Sequence, residues 1–306
     1  MTMSEDPAEI TRQAAKRAEA LLRELRRRYP DALARSIRDA EAKGQPGAPQ
    51  WPDWCWLPMG SAFAVIAPQH GQRLLPGDPR VADIARISAL TTWRLGKGVY
   101  WLDSEAVAPH TEGMWARPGV PAERPLQPVR ERLLGGGLPQ QCVYIAWPPM
   151  DEETKRKLGP LALRGLFLHL EYDWNSGRPE LRLLIDRDGT WDGLRGVPVP
   201  LDRPTLLAAG RELAHEGLSI LGLDADDEQT ESLAEKERAG MFALWPTILT
   251  LIDPSVVISG FDHPADRPQP AEPRTKGGII RWRGAQDVTR WRVSTHQPRP
   301  TLRAVP

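Results

Sequence analysis

The chain is poor in the features that most often announce chemistry or a membrane. Of its 306 residues, two are cysteine and six are histidine. A bridge between Cys55 and Cys142 is open on paper. With no export signal, the better reading is two reduced, buried thiols in a cytoplasmic protein. No apolar run reaches the roughly 18 to 20 residues that a membrane-spanning helix needs. The polar start, MTMSEDPAEITRQ, has a helical pattern and does not read as a secretory signal. Net charge is zero, so there is no global electrostatic argument for nucleic acid.

Catalytic and metal signatures are equally sparse. Gly135-Gly-Gly137 leads into Leu138, Pro139 and Gln140 rather than the Lys-Ser/Thr of a phosphate-binding loop. There is no Gly-x-Ser-x-Gly elbow. His215-Glu216 lacks the second histidine of a zinc protease, and Asp186-Arg-Asp188-Gly-Thr lacks the glutamate that closes a calcium loop. His169, Glu171 and Asp173 alternate and would share one face of a strand, which could hold a metal or run acid–base chemistry. The same alternation is what a half-solvated strand needs anyway. Catalytic and metal residues are therefore assigned as none, no cofactor is expected, and the chain reads as a binding or regulatory protein rather than an enzyme.

Proline, tryptophan and an uneven charge are what the chain does have. Its 31 prolines are twice the usual share of roughly 5%, and 12 residues are tryptophan. From Asp266 onward nine basic residues face three acids, so the tail carries +6 and the remainder −6. Within that tail Arg281-Trp282-Arg283 and Arg290-Trp291-Arg292 repeat one pattern. Tryptophan between guanidinium groups suits stacking on unpaired bases with phosphate contact, which makes these six the nucleic-acid candidates. Packing of Trp282 and Trp291 on the core, with the arginines in water, is the competing reading.

Periodicity gives an α+β fold: N-terminal helices, a mainly antiparallel central sheet with packed helices, and a C-terminal basic β-hairpin. Ala14, Ala18, Leu21, Leu22 and Leu25 recur at helical spacing, and Tyr29-Pro30 breaks the pattern before a second helix. Residues 80–95 form a helix and Gly98–Leu102 a strand; 104–140 is a long loop. Strands follow at 142–147, 163–172 and 181–186, then helices over 203–221 and 228–252. Ile279–Arg283 and Val288–Val293 are expected to pair across Gly284–Asp287. The expected division is 1–45 as a helical segment, 46–262 as the core domain, and 263–306 as a proline-rich linker with a basic tail.

Three segments carry a resemblance. Trp93-Arg94-Leu-Gly-Lys-Gly98-Val-Tyr100-Trp101-Leu-Asp103 looks like a helix-to-strand junction, and Leu138-Pro-x-x-Cys142-Val-Tyr144 like the strand after a central loop. An apolar helix around Leu244-Trp-Pro246, ending near Asp253-Pro254, precedes a basic, tryptophan-containing tail. In this order they resemble the type V-A anti-CRISPR proteins that suppress production of the type V-A effector nuclease and are carried on mobile genetic elements. The resemblance implies recognition of the nascent nuclease's N-terminal peptide and loss of its messenger RNA. It also implies contact with the ribosome or the messenger RNA, and no membrane partner. The peptide-binding candidates are Trp51, Trp54 and Trp56, with Trp93, Arg94, Tyr100 and Trp101. A general RNA- or ribosome-binding protein of a mobile element with no CRISPR target, and a metal-dependent nuclease or hydrolase built on residues such as His169, Glu171 and Asp173, are the alternatives.

Overall fold

The computed structural model describes residues 6–70, 79–111, 125–148, 163–220, 244–262, 267–276 and 279–295. Asp6 starts helix α1 (Pro7–Arg28): its side chain accepts from the Ala8 N–H and Pro7 takes the first helical turn. The apolar stripe Ile10, Ala14, Ala18, Leu21, Leu22 and Leu25 is buried along its length. Tyr29 leaves helical geometry before Pro30, and α2 (Ala32–Ala42) follows. Helices α3 (Met59–His70) and α4 (Pro79–Gly96) come next. Ile84, Ile87, Leu90 and Trp93 are buried on α4 as the periodicity requires; the side chain of Val81 lies outside the described ones.

The centre is a seven-stranded sheet in the order β5-β4-β3-β2-β1-β9-β6. Its strands are β1 (Gly98–Leu102), β2 (Cys142–Ala146), β3 (Gly165–Tyr172), β4 (Pro179–Asp186), β5 (Leu194–Pro200), β6 (Val257–Gly260) and β9 (Thr289–Ser294). β1 runs parallel to β2 and to β9, and every other pairing is antiparallel. The two faces carry separate cores. Val99, Cys142, Tyr144 and Phe167 pack under α1 and α4. Tyr100, Val143, Leu166, Leu168, Trp291 and Val293 point the other way, toward α6 (Gln127–Arg132), α7 (Leu206–Ile220) and α8 (residues 244–252).

The α+β class and the mainly antiparallel sheet are as expected, but three local expectations are corrected. The two Arg-Trp-Arg segments do not pair with each other. Ile279–Arg281 (β8) pairs with Arg274–Lys276 (β7) in a small basic hairpin, while β9 enters the main sheet beside β1. The cause is burial: Trp291 and Val293 form an apolar face that can cover the second core, whereas β8 exposes Arg281. The stretch 104–140 is not simply loop, since it contains α5 (Ser104–Thr111), α6 and a π-helical turn at Leu133–Gly137. β5 escaped notice because Gly196, Pro198 and Pro200 interrupt it, and prolines are tolerated there because it is an edge strand. Residues 228–243 of the helix expected over 228–252 lie outside the described residues. Among those described, no helix is long and apolar enough to cross a membrane.

The junction from Trp93 to Asp103 has a structural explanation. The Trp93 indole donates to the Gly98 carbonyl at 2.9 Å, folding β1 back against α4. Lys97 between them takes a left-handed φ of 49°, and its N–H bonds the Trp93 carbonyl. Gln140 lies across the turn, accepting from the Tyr100 hydroxyl at 3.1 Å and donating to the Gly96 carbonyl. A Cβ at Gly98 would sit 2.0 Å from that Gln140 side chain, so only glycine fits.

A charged network lies between α4 and the sheet. Ser88 and His169 Nε2 both meet Glu171 Oε1, and Arg182 Nε donates to Glu171 Oε2 at 2.9 Å and Nη2 to Glu180 at 2.7 Å. Burial pushes the Glu171 carboxyl upward, but the charge of Arg182 and the bonds from His169 and Ser88 outweigh it and hold the pKa at about 2. Replacing Arg182 by alanine strands two buried carboxylates, so Arg182→Ala should lose about 3–5 kcal/mol in denaturant unfolding. Because the folded pKa lies below the ordinary 4.5, Glu171 stabilises the fold above that pH. Its contribution, roughly 3 kcal/mol, disappears as pH falls from 4.5 toward 2. The stability gap between the wild type and Glu171→Gln should therefore close on acidification.

A candidate recognition cleft at the carboxyl end of the parallel strands

β1, β2 and β9 end on the same side of the sheet, at Leu102, Ala146 and Ser294, and a cleft of about 640 Å³ opens there. Carboxyl ends of parallel strands are where open sheets commonly hold ligands. Its lining includes Trp101 and Asp103 at the end of β1, Glu105 and Val107 of α5, Trp147 after β2, and Arg292 of β9. Trp101 and Arg292 are cross-strand register partners. Arg292 Nε bonds both carboxylate oxygens of Asp103, at 3.0 and 2.8 Å, and the Trp101 indole donates to the same carboxylate at 3.1 Å. The Asp103 N–H bonds the Val293 carbonyl at 2.9 Å, which ties the end of β1 to β9. The result is two half-buried indoles beside a fixed ion pair, with the exposed Glu105 at the mouth. Such a surface can hold an apolar side chain against the rings while the polar groups meet backbone amides.

This cleft unites one residue from each sequence-derived set. The others disperse. Trp93 and Tyr100 are fully buried, so neither can touch a partner; Tyr100 stacks on Trp291, their centroids 6.5 Å apart. Trp51 and Trp56 are 7% exposed and form a small core with Ala40, Cys55, Leu57 and Leu95. The Trp51 indole donates to the Cys55 carbonyl, and Trp56 meets Trp282 edge-on. Trp54 is half-buried against Tyr172. Arg94 sits half-buried at the end of α4, away from this cleft.

The arginines of the tail also separate. Arg281 pairs with Glu41, Arg290 with Asp262 and the Ala8 carbonyl, and Arg292 with Asp103; Arg283 is exposed. Trp282 is half-buried and Trp291 is 5% exposed, so Trp291 is a core residue rather than a base-stacking one. Cys55 and Cys142 are both buried and free, and burial pushes both thiols well above the ordinary range.

His169 and Glu171 do come together, but sealed in the core with Ser88, while Asp173 lies beyond β3 and bonds Asn175 and Ser176 in the turn. In a nucleophilic relay the third group holds the imidazole's other nitrogen. Here Ser88 and Glu171 crowd the same Nε2, and Nδ1 has no partner among the described residues. The cluster is arranged to anchor α4 on the sheet. Among the described residues no three His, Cys, Asp or Glu side chains gather to hold a metal.

Sequence reasoning passed over Asp103, Glu105 and Trp147 as site residues. Trp147 ends a strand pattern, and only the topology brings it to the same strand-end cleft as Trp101, from the other face of the sheet. Arg292 is about half exposed while Asp103 is largely covered, so Asp103→Asn should cost on the order of 1 kcal/mol in thermal or denaturant unfolding. Asp103→Asn can therefore be read for function without loss of the fold, whereas variants of Trp101 and Trp147, which pack against the two cores, need a melting curve beside the binding measurement.

Comparison with known proteins gives a consistent result. Residues 120–299 match the AcrVA2-like family, described as the anti-CRISPR type V subtype A2 family. That range contains Trp147 and Arg292 and begins after Trp101. Among solved structures the chain is similar to the crystal structure of AcrVA2, with a TM-score of 0.59 and 17% identity, over 90% of this chain and 84% of that one. At that identity the likeness concerns the fold. No curated protein sequence matches.

Proposed function

The chain belongs to the AcrVA2-like anti-CRISPR family, whose model matches more than half of its length, and from that premise we propose that it lowers production of the type V-A CRISPR nuclease. In this reading it recognises the N-terminal peptide of the nascent nuclease and promotes loss of the corresponding messenger RNA, acting as a regulator rather than an enzyme. The family match over residues 120–299 is the observation that carries the anti-CRISPR role.

The cleft supports the peptide part of the reading. Trp101 and Trp147 supply apolar area at low entropic cost, and Asp103, Glu105 and Arg292 offer charges of both signs to a peptide's polar groups. Its volume of about 640 Å³ suits a few residues of extended chain rather than a folded domain. Recognition of a few residues fits a target that is still emerging as it is read. No chemistry on the nuclease or its transcript is needed from this chain, since decay can be carried out by the host.

Co-expression with a type V-A nuclease should lower both the nuclease and its transcript. The paired change Trp101→Ala and Trp147→Ala should weaken binding of the nuclease's N-terminal peptide by at least about 30-fold, the effect of losing a central aromatic anchor, and restore both levels. Unchanged nuclease and transcript with the wild-type protein would rule the reading out. Equal suppression of a nuclease with a replaced N-terminal segment would remove peptide recognition while leaving the family role.

A further inference from the structure

Three of the tail's arginines are neutralised by carboxylates, as described above, but a second group of arginines at the opposite end of β1 is not. Arg23 and Arg26 project from the last turns of α1, Arg94 from the last turn of α4, and Arg283 from the segment that follows β8. Among the described residues, none of these four side chains has a hydrogen-bond or ion-pair partner.

The segment carrying Arg283 is fixed rather than loose. The Ala285 N–H bonds the carbonyls of Arg94 and Leu95 at 3.1 and 2.9 Å, and Lys97 Nζ bonds the Gln286 carbonyl at 2.7 Å and Glu19 at 3.1 Å. Gly284 lies so close to the Arg94 guanidinium that a Cβ there would be 2.5 Å from it. The backbone that carries Arg283 is therefore held close to Arg94, and α1 is held alongside by the Lys97–Glu19 bridge.

The electrostatics of the group are unfavourable as they stand. Arg94 is half-buried, and burial followed by the charge of Arg26 pushes its pKa down. The dipoles of α1 and α4 offer about half a negative charge each at these ends, which does not balance four guanidinium groups. The terminal α4 carbonyls are moreover already taken by Ala285. A partly dry cation among like charges gains most from an incoming anion, and a planar guanidinium fork matches phosphate.

We propose that Arg23, Arg26, Arg94 and Arg283 form a ridge that binds the phosphodiester backbone of single-stranded RNA. The four guanidinium groups come from α1, α4 and the segment after β8, so the ridge is broader than one isolated anion needs. Half-buried Trp282, next to Arg283, leaves part of its ring for a base. A lipid surface is disfavoured because membrane-bound helices need exposed apolar anchors. The exposed large apolar side chains among the described residues are Phe63 and Trp174, neither of them on α1, α4 or the Arg283 segment. The ridge stands apart from the cleft, so it holds whether or not the cleft takes a peptide.

The test is fluorescence anisotropy of a labelled mixed-sequence single-stranded RNA with the full chain across a salt series. Binding is expected at about 50 mM salt, with log affinity falling linearly against log salt. Arg26→Glu with Arg283→Glu, both at exposed positions, should weaken it at least about tenfold and flatten the slope by about 0.7 for each phosphate no longer neutralised. Arg132→Glu, the same change in charge as either replacement alone but on the opposite face, should leave affinity within about twofold. Arg94→Ala should behave like the double variant, and its melting curve separates weaker phosphate binding from a damaged fold. No RNA binding at low salt, or equal weakening by Arg132→Glu, would overturn the proposal. So would an undiminished affinity in the double variant, or binding to phosphatidylserine vesicles with none to RNA.

Discussion

Parallel pairing of β1 with both β2 and β9 leaves neither face of that strand for solvent, because parallel strands are stable only when both faces are covered. Val99 and Tyr100 are both fully buried, on opposite cores. Helices must then lie on each side, and α1 with α4 on one face and α6, α7 and α8 on the other meet that demand. The same arrangement brings three strand ends to one edge, where Trp101, Trp147, Asp103 and Arg292 surround the cleft. At the other edge it brings together the ends of α1 and α4. Site and ridge are thus consequences of where a single strand sits.

The uneven charge of the chain finds its meaning in how the last strand docks. The basic tail meets acids of the body, Arg281 at Glu41 and Arg292 at Asp103. Surface pairs of this kind contribute little each. What holds β9 is burial of Trp291 and Val293, side chains of the size that stabilise by about 1.5–3 kcal/mol or more when removed from water. The arginines follow where the apolar residues lead. Those left uncompensated, Arg283 among them, are the ones with charge available for a partner.

The sequence disclosed elements better than sites. Helix α1, with its Asp6 cap, its stripe and its proline break, was legible because each signal is local. So were α4, β1 and the existence of β3, although β3 is buried on both faces rather than half solvated. The pairing of β9 with β1 was not, because nothing within residues 279–293 distinguishes a hairpin from two strands in different sheets; the competition is decided by a core nearly two hundred residues away. Tryptophan count misled for a related reason. Trp93 and Trp291 are anchors, and their burial depends on Gly98 and Tyr100, whose roles emerge only when Gln140 folds over the turn. Asp103 and Trp147 carry no motif of their own. They matter through position at strand ends, which is a property of topology.

Hydrogen–deuterium exchange on the full chain, with and without the N-terminal peptide of a type V-A nuclease, tests the central claim most directly. The account predicts protection confined to residues 101–108, to 145–148 and to the end of β9 around Arg292. Protection centred instead on Trp54, Phe63 and Trp174, with the strand ends unchanged, would contradict it.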